Sequence, residues 1–375
     1  MAGSTREQIF NDDLLTNPGD HKKASELYPD IVHVLDHPEL RDLFNDYNER
    51  ANTAKHKSRQ AGFWGIGLAA LALMLLTIEP VIDLLAKNTT WSNLAPGLLA
   101  GASALIAVLA VVIAWPGLLF AKSKDEWLLN RLMTERLRQF HFQTLVCRIR
   151  EIVASLPDEA TRERFRQERR KWFAGFLTAH GEKLHSEFVS IRERSERDKF
   201  WLHRAGAEDE ADAIDEAASP VFAAYRELRI LHQLQYANYK LGETARFLPS
   251  LPRPQAALFS KISLLCIAGI LVLHLAIGIA IPSGWPEPLS LWLRTFVILI
   301  AIVALAVRAL EEGLAPDREV ERYQHYQSSV RAIRDRFDAA TSWREKITVM
   351  REMERLVFDE MCDFLETHHR AHFVM

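Results

Sequence analysis

The sequence predicts an all-α fold, a helical integral membrane protein with two transmembrane helical hairpins and cytosolic helical extensions. Three observations carry that expectation: four apolar runs of bilayer length set in two pairs, strongly charged stretches with helical spacing around them, and no alternating strand pattern of useful length. The runs are residues 63–86 paired with 96–121, and 258–281 paired with 289–310. Each comes near the roughly 20 residues that a helix needs to cross about 30 Å of hydrocarbon. Residues 96–121 carry no charge until Lys122, and a helix apolar on every side gains nothing from facing water.

Taken in order, the expected regions are a cytosolic N-terminal helical region (1–61), a first hairpin (62–121), a cytosolic helical middle region (122–257), a second hairpin (258–311) and a cytosolic C-terminal helical region (312–375). The polar N-terminal region has no signal-peptide core, so the first span is expected to act as its own uncleaved signal. Lys and Arg near the span ends set orientation. Arg50, Lys55, Lys57 and Arg59 precede the first span, and Lys122, Lys124, Arg131, Arg136 and Arg138 follow the second. Lys240, Arg246, Arg253 and Lys261 precede or open the third, and Arg308, Arg318 and Arg322 follow the fourth. The two connecting loops offer Lys87 alone. A multi-pass protein of the inner (plasma) membrane with both termini cytosolic is expected.

Both halves share one order: polar helix, hairpin, charged helix. Both hairpins enter from the cytosol, so a duplication would be related by an axis along the membrane normal; the alternative is two hairpins joined without common origin. In the middle region, residues 158–201 place Phe165, Trp172, Phe176, Leu184, Phe188 and Ile191 at helical spacing. Pro157, Asp158 and Glu159 suit a helix start, and Gly175 and Gly181 a bend. Residues 206–219 read as a linker, and Pro249, Pro252 and Pro254 punctuate the approach to the third span. After Pro316 no Pro or Gly follows, and Ile347, Met350, Val357, Met361 and Phe364 keep a near-heptad stripe, as in a coiled coil against another helix or another subunit.

Composition excludes several functions. The net charge of −3 gives no basis for nucleic-acid binding. The three cysteines, Cys147, Cys266 and Cys362, form no ligand spacing and no disulfide framework. No phosphate-binding loop, nucleophile elbow or paired cysteine ligands occur, so neither an enzyme nor a cofactor is expected. Mean hydropathy is −0.07, because the charged helices dilute the apolar runs.

Candidate site residues are therefore sought first inside the spans, where polar groups are costly. Glu79 and Asp83 lie four apart near the outer end of the first span, His274 in the outer half of the third, and Arg294 about one turn into the fourth. One reading is an intramembrane polar layer in which Arg294 pairs with Glu79 or Asp83. The other is that Arg294 and Asp83 snorkel to headgroups while Glu79 caps a break at Pro80. On the second span Gly97, Gly101 and Ala104 offer a small helix-packing surface, for an oligomer seam or for packing within the chain. Arg162, Arg164, Arg166, Arg169, Arg170 and Lys171 could meet anionic lipid, but Glu163 and Glu168 interrupt them and favour a solvated face. Cys362, His368, His369 and His372 invite a metal reading; without an acid–histidine signature or a second cysteine, no metal is expected.

The helix after the first hairpin reads DEWLLNRLMTERLRQFHFQ and sets Trp127, Arg131, Glu135 and Arg138 on one face. Directly after a two-span hairpin with a short outer loop, this resembles the SLATT domains, the SMODS and SLOG-associating two-transmembrane effectors of bacterial conflict systems. The resemblance covers about residues 42–150 and, more loosely, 225–337 as a second copy. In that copy Tyr326, Val330 and Arg334 are the nearest match to the face, and its Trp and Glu have no evident counterpart. The resemblance implies a pore-forming or membrane-perturbing effector in antiviral defence, controlled by a sensor or nucleotide-signalling partner. A homo-oligomer in the lipid bilayer is the assembly expected. A regulated channel or transporter, and a membrane-anchored helical scaffold, are the other readings.

Overall fold

The computed structural model describes residues 8–86, 95–114, 120–181, 183–192, 201–203, 216–242, 251–280, 282–283 and 286–371. Every regular element among them is helical, as the sequence predicts. After a short 3-10 turn (Gln8–Leu14) come α1 (Pro18–Leu27), α2 (Val32–Leu35) and the long α3 (Pro38–Ala86). Next are α4 (Ala95–Ala114), α5 (Phe120–Cys147), α6 (Ile149–Ala154), α7 (Glu159–Phe176) and α8 (Leu184–Arg192). The second half holds α9 (Ser219–Tyr225), α10 (His232–Lys240), α11 (Pro252–Ala280), α12 (Glu287–Leu314), α13 (Pro316–Ala339) and α14 (Trp343–Arg370). The linker expected over 206–219 lies largely outside the described residues.

Two compact units emerge. The first gathers Met1–Asn52, Glu126–Gly242 and Val320–His368. Its interior is built from Ile31, Leu35, Leu40, Phe44, Leu128, Leu132, Phe140, Phe142, Tyr225 and Phe358, all shut off from solvent. Helix α7 starts as expected: the Asp158 carboxylate accepts from the Thr161 amide at 2.8 Å, filling one of the donors a helix start leaves open. A π-turn over Leu177–Gly181 then separates it from α8, at the bend that the glycines suggest. The stripe on α14 is buried inside this unit, with Ile347, Met350, Val357 and Met361 all enclosed.

The stretch after Pro316, which carries no further Pro or Gly, divides at residues 340–342. The Glu345 carboxylate accepts from the Thr341 and Ser342 amides at 2.9 and 3.2 Å, and the Ser342 hydroxyl accepts from the Glu345 amide at 3.2 Å. That reciprocal cap starts a new helix without Pro or Gly.

The second unit gathers Thr53–Asp125, Glu243–Glu319 and His369–Met375. Helices α11 and α12 form its hairpin. Phe259, Val307 and Leu314 make a small core with Ile262 and Leu310 beside it. An added Cβ at Gly269 would lie 3.4 Å from the Ile300 Cδ1, so the two helices pack tightly there. Three helices are long and apolar enough to cross a membrane, within Pro38–Leu85, Pro252–Ile279 and Pro288–Ala339. The fourth apolar helix, α4, carries a shorter apolar stretch, Gly97–Val112. The span expected over 96–121 is thus described as helix only to Ala114, and residues 115–119 lie outside the described ones.

The two halves differ in their joints. In the first, polar helix and apolar run are one 49-residue helix that continues through Pro80. In the second, α10 and α11 are separate elements, whereas α12 and α13 are parted only by Ala315. Ala315 adopts the left-handed conformation (φ 47°, ψ 47°), its amide bonds to the Glu311 carbonyl at 2.8 Å, and Pro316 forbids continuation.

Candidate functional site

The four intramembrane candidates are not drawn into one cluster within the chain. Glu79 is half-buried on α3, and Asp83, His274 and Arg294 are exposed. His274 places its Nδ1 3.0 Å from the Ile270 carbonyl of its own helix. Among the described residues no hydrogen bond or ion pair joins Arg294 to Glu79 or Asp83. Nor does Glu79 cap a break, because α3 is continuous across Pro80.

On α4, Gly97, Gly101 and Ala104 are exposed, and a Cβ at either glycine would meet nothing within 4 Å. The buried side of that helix is instead Ser103 and Ala110, two turns apart and turned away from the glycine face. Small residues do serve packing on α3, where Ala54, Ser58, Gly62, Ile66 and Ala70 are buried at strict four-residue spacing. That spacing is open to view in the sequence as a small-residue ridge.

The face of α5 that carries the family resemblance is brought together, inside the first unit. Trp127 is buried, edge-on to Phe364 and His368 with ring centroids 5.9 and 4.9 Å apart. Arg131 reaches the Glu135 carboxylate at 2.6 Å, and Arg138 reaches it at 3.0 Å. Arg138 extends further, with Nε 2.8 Å from the Asp13 carboxylate and Nη2 donating to the Asn11 side chain at 2.9 Å. Burial pushes the Glu135 carboxyl upward, but Arg131 and Arg138 outweigh it and hold the group down at about 2. These residues form a clamped ionic chain.

Sequence reasoning passes over a second ionic centre. Arg229, in a π-turn over Arg226–Leu231, donates from Nε and Nη2 to both oxygens of Glu354 at 2.9 Å. Both side chains are 0 % exposed. The Tyr225 hydroxyl donates to the same carboxylate at 2.8 Å, and the Arg229 guanidinium lies 4.4 Å from the Phe142 ring centre. Arg136 pairs with Glu187 and lies over Phe358, and Arg322 pairs with Glu360. No local pattern marks such partners, since Arg229 and Glu354 stand 125 residues apart.

The remaining candidates separate cleanly. In the basic cluster, Arg166 and Arg170 pair with Glu163 at 3.1 and 3.0 Å on the outer face of α7, while Arg169 turns inward. His368 bonds its Nδ1 to the Phe364 carbonyl at 3.0 Å, Cys362 is buried, and His372 lies outside the described residues. No group of three metal-ligating side chains occurs among the described residues. Lys124 donates to the His369 and Ala371 carbonyls at 2.7 and 2.6 Å, closing the end of α14. Burial lowers its ammonium to about 8. Burial also pushes the Cys147 thiol up to about 12, far from the thiolate a nucleophile needs.

This arrangement can hold charges rigidly in a low-dielectric interior, and it can present apolar helices to lipid. Comparison with known proteins adds no relative: no protein-family model, curated protein or solved structure matches the chain.

Proposed function

We propose that the chain is a non-enzymatic membrane effector, pore-forming or membrane-perturbing, with four spans in the inner membrane and its polar helical unit in the cytosol. The observation that carries this reading is the surface of the apolar helices. Leu264, Leu265, Leu271, Val272 and Leu275 are all about two-thirds exposed, on an α11 that carries one Lys and one Arg near its start. Such a surface is stable only in lipid or against other apolar helices. The bias of Lys and Arg toward the polar ends supports the cytosolic termini. The open glycine face of α4 supports assembly of several copies. The resemblance of α5 to SLATT domains supports a place in bacterial defence under a sensor or nucleotide-signalling partner.

A membrane-anchored scaffold is the second reading. It is favoured by the size of the polar unit and by the absence, among the described residues, of any bond joining Glu79, Asp83, His274 and Arg294. Expression in cells loaded with a potential-sensitive dye separates the two. Depolarisation on supplying the partner or signal is the expected result. A normal potential under every trigger overturns the conducting reading and leaves the scaffold.

A further inference from the structure

Arg169 carries a buried charge whose direct partners are all neutral. It is 4 % exposed. Its guanidinium donates to the backbone carbonyls of His33, Val34 and Asp36 at 3.0, 2.8 and 2.8 Å, and its Nε has no partner. Among the described residues no carboxylate lies within ion-pair distance of it. Burial lowers its pKa to about 10, with Glu39 and Asp36 opposing the shift, as a poorly compensated guanidinium requires. Carbonyl dipoles satisfy its hydrogens but leave a full charge out of water, which is costly without a counterion.

A cleft of about 320 Å³ opens beside this group, at the head of α3. Arg166 and Arg170 line it with Arg169 while also pairing along α7 with Glu159 and Glu163, and His33 lines it too. Two carboxylates, Asp36 and Glu39, line it as well. Asp36 is held by Arg41 at 2.7 Å and by His21 at 3.2 Å, and Glu39 lies 3.8 Å from the His37 ring. His33 has one ring nitrogen held and the other unpartnered. The Ser155 hydroxyl donates to the Ile152 carbonyl at 2.6 Å, so it accepts from the His33 Nε2 at 2.8 Å. That leaves the His33 Nδ1, which has no partner, as a bare acceptor. An oxyanion matches the hydrogen-bond donors that the arginines offer.

We propose that this cleft binds a phosphate group, as a phosphorylated small molecule or a lipid phosphate, with Arg166, Arg169 and Arg170 as its cationic wall. The inference stands apart from the effector reading, because the site lies wholly in the polar unit and its test reads binding, not conductance. The test uses the full chain in phosphatidylcholine nanodiscs titrated with inorganic pyrophosphate, beside flotation of the same nanodiscs on vesicles of phosphatidylcholine with and without phosphatidylglycerol. Saturable pyrophosphate binding assigns a free phosphate; flotation only on the anionic vesicles, without pyrophosphate binding, assigns a lipid phosphate. In either case the paired variant Arg166→Gln and Arg170→Gln should weaken binding about tenfold or more, since it removes two charge-assisted contacts. Both residues sit on the outer part of α7, so the fold should hold, as unchanged thermal unfolding would verify. Arg164→Gln, an exposed change on the same helix outside the cleft, should bind as the parent does. No binding in either arm, undiminished binding in the paired variant, or equal loss in Arg164→Gln overturns the proposal.

Discussion

In the first unit the charges are inside, and in the second the apolar groups are outside. Arg229 and Glu354 are sealed from solvent in one, while Leu265 and Leu271 stand about 70 % exposed in the other. Each would be unstable in the other's place. A guanidinium is tolerated in an interior when a carboxylate meets it with two hydrogen bonds. A leucine surface is tolerated outside when the surroundings are hydrocarbon. The chain therefore answers two solvents with one element type, and burial of a residue class, more than helix content, tells which solvent a helix expects.

The contrast breaks most sharply at Glu354. Replacing it with Ala leaves Arg229 buried beside Tyr225 and Phe142 with no anion. The expected loss is about 3–5 kcal/mol, a large part of the roughly 5–15 kcal/mol that holds a typical fold. Limited proteolysis and thermal melting of the full chain in detergent would register it. Replacing the pair together, Arg229→Met with Glu354→Leu, should recover most of that loss, because no charge is stranded. A double variant as unstable as the single one would mean that the pair is not what holds these helices.

The opposite intrusion is a charge on the apolar surface. Leu271→Arg sits mid-helix on α11 at a site 70 % exposed. In water such a change is worth within about 0.5 kcal/mol. In a bilayer it costs about 3 kcal/mol at the helix centre. Membrane fractionation and a glycosylation-acceptor insertion assay should show the third apolar helix failing to integrate. Unchanged integration, with improved yield in aqueous buffer, would show that water faces this surface.

How much of this can be read from letters alone follows from where each signal lives. Apolar runs are local, so the apolar parts of α3, α11 and α12 stand out in the sequence, with the ends at Ala86, Ala280 and Glu287 within a few residues of those expected. The Asp158 cap is local too. So is the cap at Ser342 and Glu345, whose Ser-x-x-Glu pattern is easily outweighed by the lack of Pro and Gly nearby. The buried small ridge of Ala54, Ser58, Gly62 and Ala70 is equally visible, yet the eye goes to the Gly97 and Gly101 pair, which the chain leaves open. Non-local signals are another matter. Nothing near Arg229 announces Glu354, and nothing near Arg169 announces the carbonyls of His33, Val34 and Asp36. Three polar stretches separated by apolar ones close into one unit through contacts of this long-range kind, so its interior is legible only once folded.

Acid offers a finer probe of the first unit, because three of its buried imidazoles resist protonation. Burial, aided by nearby arginines, lowers the imidazoles of His37, His141 and His203 to about 2, 3 and 4. At pH about 7.5 these rings are neutral both folded and unfolded. Below about 6.5 the unfolded chain takes up protons that the folded chain refuses. Protons then favour the unfolded state, and stability falls with pH down to the folded values. Between pH of about 7.5 and 5.5 the loss should be about 1 kcal/mol for each ring. Glu135 acts in a lower window: its folded carboxyl titrates near about 2, so the stability it brings is complete above about 4.5 and fades beneath that. A melting series in detergent should therefore show two acid slopes, the first flattened in His141→Gln or His203→Gln, the second unaffected. A first slope unchanged in both variants would mean that these rings accept protons in place, and that the interior of the first unit is wetter than its packing implies.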